Sequence, residues 1–596
     1  MNTPDFSDIR SKLTAPHSFA LFRRIESTLT ILSPSERLAL YALTALLCVS
    51  ALSLLAFANG AVSTRVPSPG GTLTEGLVGP ARFINPVLSI AQADGDIAAL
   101  VFSGLTRARH DGVIVPDLAE SFAISEDGTV YSFRLREGLT FHDGRAVTSA
   151  DVLFTVRAAQ NPAVKSPHRA DWEGVVASAP DARTVTFTLP HAYAPFLQNT
   201  TLGILPEHLW KDTSAEDFPF SVLNTRPIGS GAFLVSDIKT DETGAAIRYD
   251  LSPFADFALG KPYLKRITFL LFGSGDDLIE AYENGRLDSL GGISPKRLAT
   301  LERMGTVITT PLPRIFGVFF NQGRAPVLAE ASARSALDIA IDRERLINMV
   351  LMGYGVAANG PIPPALSAGS VPKDTSELAS TTAVSTIYTQ ETIQAARDKL
   401  SANGWTWDEA AQSWTKNKRE FSFTLSTADA PELTETANAL AAAWRQVGIK
   451  VNVQVYPIAE LNESVIRPRA YDAILFGEVV GRELDLFAFW HSSQRNDPGL
   501  NLSLYANTKA DTLLTQARAT IDAGARLKLY EQFADVVQSD VAAVFLYSPE
   551  FVYVIPDNLQ GVSLASLTSA SERFGNAHEW FTDTESVWQI FTDRTN

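Results

Sequence analysis

Between residues 130 and 156 the chain runs VYSFRLREGLTFHDGRAVTSADVLFTV, and the spacing of its apolar positions changes twice within that span. Tyr131, Phe133 and Leu135 alternate with Ser132, Arg134 and Arg136, the period of a strand with one buried face. Glu137-Gly138 turns the chain, Leu139-Thr140-Phe141 resumes the alternation as a second strand, and His142-Asp143-Gly144 turns it again. Thr148, with Asp151 three residues on, then caps a helix that starts ahead of Val152, Leu153, Phe154 and Val156. Further along, Val185, Phe187 and Leu189 alternate with threonines after Asp181-Ala182-Arg183, which predicts a hairpin.

The second half changes rhythm. Residues 393–402 carry helical spacing and stop at Asn403-Gly404, 421–425 read as a strand, 432–447 as a helix closed by Gly448, and Ile449, Val451, Val453 and Val455 as the next strand. A strand, helix and strand in that order predict a parallel pair with a right-handed crossover. Residues 471–476 supply another strand, ending at Gly477, and the loop expected after it contains Glu478, Gly481, Glu483 and Asp485. In open parallel sheets ligands gather beyond the carboxyl ends of strands, so this loop is the first candidate for a binding site. A helix is also expected over 277–284, closed by Gly285, and Asp342 is expected to cap another.

One apolar run is of a different kind. Residues 38–58 are uncharged and about 21 residues long, enough to cross a bilayer as a helix. Arg10, Lys12, Arg23, Arg24 and Arg37 precede the run and Arg65 is the first basic residue after it, which predicts a cytoplasmic tail over 1–37 and an extracytoplasmic body. Ala56-Phe57-Ala58 has the form of a signal-peptidase site, so a cleaved signal competes with a retained anchor; the long tail and long run favour the anchor. Cys48, the single cysteine, lies inside the run behind Leu47, which does not suit a lipid-accepting residue, and its position leaves the exported body without disulfides or thiolate chemistry. Residues 59–71 are small and rich in Pro and Gly, as in a short tether.

The chain has 596 residues, 45% of them apolar, enough for a large core divided among several domains. Its net charge of -16 and the lack of any Lys/Arg cluster argue against a nucleic-acid partner. No Gly-x-Ser-x-Gly, His-Glu-x-x-His or Walker loop occurs, and the eight histidines lack metal-ligand spacing, so no enzyme, metal or cofactor is expected. His142 is expected in a turn or at the surface. Gly229 and Gly231 are spaced as in a phosphate loop, but a strand-like run and no Lys-Ser/Thr follows them. Two acids on one loop, Glu483 and Asp485, lack the facing geometry of a glycosidase.

Several of these segments together resemble the family 5 extracytoplasmic solute-binding proteins, the oligopeptide and dipeptide receptors of bacterial ABC importers. The resemblance rests on Val101-Phe102-Ser103-Gly104-Leu105, Pro116-Asp117-Leu118-Ala119-Glu120-Ser121, the 130–156 unit and Pro227-Ile228-Gly229-Ser230-Gly231-Ala232-Phe233. It continues through Gly260-Lys261-Pro262-Tyr263-Leu264 into Arg266-Ile267-Thr268-Phe269, through Phe319-Phe320-Asn321 with the helix pair up to Glu344, and through Trp490-His491-Ser492-Ser493-Gln494. Asn501, Tyr505, Asn507, Asp511 and Arg518 close it, so that the match covers about residues 72–547. In place of the family's usual Trp and its Asp-Pro-Asp, this chain has Glu478 and Glu483-Leu484-Asp485.

The resemblance implies an α/β, two-lobed periplasmic-binding-protein-like fold with mixed sheets. Lobe 1 is expected over 72–315 and 546–596, with an inserted subdomain at 117–225, and lobe 2 over 316–545. The Arg266 to Phe269 strand is implied to cross between the lobes. The implied function is capture of a peptide by hinge closure and its delivery to an ABC permease, with the apolar helix as membrane anchor. The same fold in relatives takes oligosaccharides, nickel complexes or haem, and a solute sensor is a further alternative. Ligand contacts are implied at Gln92, Asp94 and Asn321, along the backbone of Phe476 and Gly477, and at Glu478, Glu483, Asp485 and Trp490, with Glu483 or Asp485 receiving the peptide's ammonium group.

Overall fold

The computed structural model describes residues 31–109, 111–366, 385–564 and 567–592, so most of the expected tail lies outside the described residues. The chain divides into a small unit, residues 1–68 with 584–596, and the body between them.

In the small unit the helix Pro34–Val62 starts at a capping box in which Ser33 and Glu36 satisfy each other's backbone amides. None of its residues is buried, and it is long and apolar enough to span a bilayer. The expected tether is structured. The helix continues to Val62, and Ser63–Ser68 is a strand paired with Asp583–Trp588. Trp588 Nε1 donates to Asn59 Oδ1 at 2.6 Å, fastening this ribbon to the helix. Composition alone hid this, because the pairing partner lies at the far end of the sequence.

In the body, β1 (Gly70–Val78) leads to the helix α1 (Gln92–Val101). An antiparallel sheet follows, with spatial order β2 (Ala119–Ile124), β3 (Val130–Leu135), β5 (Thr184–Thr188), β4 (Val176–Asp181). α2 (Ser149–Gln160) packs on it. β3 and the cap of α2 are where the sequence pattern puts them. The second strand of the 130–156 unit is absent: Leu139 and Phe141 are buried, but only Thr140 bridges, to Ala146. His142 lies in the turn expected for it and is half-buried. Its ring is clasped between Gly229 N–H, donating to Nδ1 at 3.3 Å, and the Gly231 carbonyl, 3.0 Å from Nε2, and burial pushes its pKa down to about 4. Gly229 and Gly231 press against the carbonyls that end α1, where a Cβ has no room; the glycine pair serves packing.

β6 (Phe233–Thr240), β7 (Ala246–Pro253) and β8 (Leu264–Phe272) complete a second sheet, in which β8 runs parallel to β1. This corrects one expectation: the strand carrying Arg266 to Phe269 stays inside lobe 1. α3 (Gly275–Glu283), capped by Ser274, follows. The crossing is made instead by β9 (Thr306–Pro311) and β10 (Arg314–Phe320), separated by Leu312-Pro313.

In lobe 2, β11 (Ser422–Ala428), α4 (Pro431–Val447) and β12 (Lys450–Tyr456) form the expected unit with parallel strands. Gly448 ends α4 with φ 105°, a left-handed conformation suited to glycine. β13 (Ala473–Val479), α5 (Thr508–Ala519), α6 (Ala523–Ser539) and β14 (Ala543–Ile555) follow it along the chain. The 13-residue β14 pairs with β10 through Ala543 to Tyr547 and with β9 through Glu550 to Ile555. Its first half lies in the lobe 2 core. Beyond Pro549 its alternate residues divide between two cores, Phe551, Tyr553 and Ile555 facing one and Val552 and Val554 the other. Two strand segments therefore carry the chain between lobes, and at the crossing Ser548 Oγ donates to the Leu312 carbonyl at 2.7 Å while Leu312 N–H donates to Pro549 O at 3.1 Å.

Candidate functional site

α1 lies beside the strands that cross between the lobes, its Gln92 and Asp96 sharing a cavity with Leu312, Arg314 and Glu550. Ala93, Ile97, Leu100 and Val101 are buried, which fixes the helix on its sheet. Asp94 turns back beneath the preceding loop and accepts from Arg82 N–H at 2.7 Å and Phe83 N–H at 2.9 Å. Burial raises its pKa against those two donors.

The middle of α1 is crossed by residues 567–575, which include the turn Ala570–Phe574. Arg573 anchors this crossing segment inside the protein: its guanidinium bonds Glu75 Oε1 at 2.6 Å and both Asp96 oxygens, at 2.9 Å from Nη1 and 2.6 Å from Nη2. Tyr553 OH and Ser289 Oγ donate to Glu75 Oε2 at 2.7 and 2.9 Å. All three charged groups are essentially inaccessible to solvent, so each relies on the others for solvation. Ser571 Oγ donates to Asp96 Oδ1 at 2.7 Å, and Gln92 Nε2 reaches the same oxygen at 2.5 Å.

From the opposite side comes the loop after β13. Arg482, only 8% exposed, meets Glu572 of the crossing segment at 2.5 Å. Glu483 N–H donates to Gln198 Oε1 at 3.4 Å, and Tyr193 OH donates to Asp485 Oδ2 at 3.1 Å, so this loop joins the lobes.

Three cavities adjoin these parts. One of about 620 Å³ includes Gln92, Asp96, Leu312, Arg314, Glu550 and Ala570 in its lining. A second, of about 180 Å³, takes in Ala99 and Phe102 from the far end of α1 with Arg107, Asp117, Arg482 and Glu572. A third, of about 160 Å³, shares Arg107, Arg482 and Glu572 with it. Burial pushes the Asp117 carboxyl up to about 7 against the pull of Arg107 and Arg136, and its Oδ1 has no partner. Burial also raises Glu572 and pushes His578, in the same cavity, down to about 4.

The structure brings only part of the expected site together. Gln92 lines the cavity of about 620 Å³. Asp94 faces its own loop, and Asn321 lies at the end of β10, holding Arg324 N–H at 3.1 Å and donating to Arg469 O at 2.9 Å. Phe476 and Gly477 are in the ladder between β13 and β10, opposite Gly317 and Phe316, and line none of these cavities.

Glu478 belongs to β13 and is buried, contrary to its expected place in the loop; its Oε2 accepts from Trp490 Nε1 at 3.1 Å. Trp490 is fully buried among Phe319, Tyr505, Phe533 and Phe545, so it is a core residue. The two acids expected to hold an ammonium group are already engaged. Arg518 grips Asp485 through Nε, 2.9 Å from both carboxylate oxygens, and Nη2, 2.6 Å from Oδ2, and Arg526 meets Glu483 at 2.7 Å. A ligand amine would have to displace partly buried guanidinium partners.

Arg107, Arg482, Glu572 and Arg573 were not singled out from sequence. Arg482 sits in the loop where the acids drew attention, and residues 567–575 lie beyond the motifs that carried the resemblance.

Comparison with known proteins gives this geometry a family. Residues 113–523 match the model described as "Bacterial extracellular solute-binding proteins, family 5 Middle". The chain belongs to that family. Its relatives include the oligopeptide-binding protein AppA of Bacillus subtilis strain 168, 27% identical over 503 residues, covering 83% of this chain and 89% of AppA. The solved structure of Bacillus subtilis AppA with a nonapeptide matches at 25% identity with a TM-score of 0.64, over 87% of this chain and 99% of that one. NikZ from Campylobacter jejuni, solved with Ni(L-His), matches at 24% identity and a TM-score of 0.66, over 86% and 99%. As a family 5 member the chain is a substrate-binding protein of the ABC-transporter type and not an enzyme.

Proposed function

We propose that this protein is a membrane-anchored receptor that captures a peptide outside the cytoplasm and presents it to an ABC permease. The observation that carries this reading is the construction of the body: two separately cored lobes, joined by two strand segments at Leu312-Pro313 and Ser548-Pro549, with a cavity beside the join. Rotation about those two segments opens and closes the cleft while each core stays intact. The ligand shifts the balance toward closure only through contacts it makes better in the closed form. Arg482 with Glu572 and Asp485 with Tyr193 are contacts made between lobes.

The peptide part draws on the nonapeptide-bound and oligopeptide-binding relatives. The anchor part draws on the fully exposed apolar helix Pro34–Val62. Because Glu483 and Asp485 are paired with arginines, recognition of the peptide's termini falls to other groups, of which Gln92, Arg314 and Arg107 border the cavities.

Native mass spectrometry of the full chain released from detergent, before and after addition of a mixed peptide pool, tests this. Bound masses that fragment into amino-acid residues are expected. A folded protein that ignores peptides and carries a sugar, a nickel complex or haem would replace the peptide with that ligand and leave the receptor reading intact.

A further inference from the structure

We propose that residues 567–575 are a fixed strap across α1 that limits the solute to a short one, of di- or tripeptide size, held in the cavity of about 620 Å³ beside the crossing strands. This rests on the receptor reading above and adds to it what sets ligand length.

The strap's position follows from the helix it crosses. The first turns of α1 present Gln92 and Asp96 to the large cavity, and its last residues present Ala99 and Phe102 to the cavity of about 180 Å³. The strap passes between these ends: Ser571 sits so close to Gly95 that a Cβ there would lie 2.7 Å from its hydroxyl. Ala570 forms wall on one side, and Glu572, Phe574 and Gly575 form wall on the other. An extended ligand running the length of α1 would have to pass through the strap's backbone.

The strap is held at two points of different kind. Arg573 is buried with Glu75 and Asp96, and pulling it out would leave two uncompensated carboxylates inside the protein. Glu572 meets Arg482 from lobe 2, so the strap also reports on closure. A cavity of about 620 Å³ is within the range that encloses a drug-sized molecule, which a dipeptide or tripeptide matches and a nonapeptide exceeds.

The test is calorimetric titration of the full chain in detergent with di-, tri-, penta- and nonapeptides of one repeating sequence. The wild type is expected to prefer the two short peptides over the nonapeptide by about tenfold or more in Kd. Glu572→Gln combined with Ser571→Ala, which loosens the strap while leaving Arg573 in place, is expected to narrow that gap about tenfold. Should the double variant fail to fold, Ser571→Ala alone carries the comparison. Equal affinity of the wild type for dipeptide and nonapeptide, or a length preference untouched by the variants, overturns the strap and leaves the peptide receptor standing.

Binding of no peptide at any length would overturn the peptide reading instead. The strap is then judged by amide hydrogen exchange. Residues 567–575 must be protected like α1 in the wild type and exchange about tenfold faster in the variant. Unprotected amides there in the wild type refute it.

Discussion

Glu478 has two oxygens in different circumstances. Oε2 receives the Trp490 indole N–H, while Oε1 is buried with no partner, and burial pushes the carboxyl up to about 8. Its folded pKa thus lies above the ordinary value of 4.5, and the folded protein holds this proton more tightly than the unfolded chain does. Stability is therefore greatest below pH 4.5 as far as this group is concerned, and declines as pH rises toward 8. Glu478→Gln keeps an acceptor for Trp490 and removes the titration. The variant's melting temperature should be close to that of the wild type near pH 5 and exceed it near pH 8.5, by a margin equivalent to about 4 kcal/mol. Parallel pH profiles for the two proteins would refute the assignment. At this scale the sequence was least legible. It named Glu478, Glu483 and Asp485 as acids near a strand end, but whether a carboxylate is buried beside an indole or gripped by Arg518 depends on residues distant in the chain.

Elements were far more legible, because caps and periods are local. Thr148 with Asp151, Asp342, and Gly448 all terminate helices as their sequence contexts predict. Asp151 does more than its spacing reveals. Besides accepting from Thr148 N–H at 2.8 Å and Thr148 Oγ1 at 2.9 Å, it takes Glu207 N–H at 2.9 Å, tying α2 to a distant turn. Asp151→Ala therefore removes a cap and a long-range bond together, and should cost about 2 kcal/mol. Urea unfolding followed by fluorescence checks this, with a loss under about 0.5 kcal/mol counting against the second bond. The misreadings at this scale share one cause. Leu139 to Phe141 alternates because Leu139 and Phe141 are buried, yet no neighbouring chain completes a ladder. Alternation shows which side is buried and says nothing of whether a partner strand is present. In the same way, the strand holding Arg266 to Phe269 was recognisable as a strand, but its sheet was set by β1.

For the molecule as a whole, the motifs spread from Phe102 to Arg518 are enough to point to the two-lobed fold, since their order along the chain is itself information. Length and charge narrowed the class without naming a ligand. The strap escaped because it owes its role to geometry: nothing in Thr568-Ser569-Ala570-Ser571-Glu572 marks it as crossing α1.

The small unit raises a question of order in time. Ser63–Ser68 follows the apolar helix directly, whereas its partner Asp583–Trp588 is made only after the entire body. During synthesis, the first strand must therefore wait with a bare hydrogen-bonding edge until its partner strand is made and pairs with it. Such an edge invites pairing with another copy. A chain lacking residues 584–596 would never pass that stage, and light scattering after size exclusion should find it self-associating in detergent where the full chain runs as a single species. If so, the ribbon is a device that completes assembly only after the receptor body has been made.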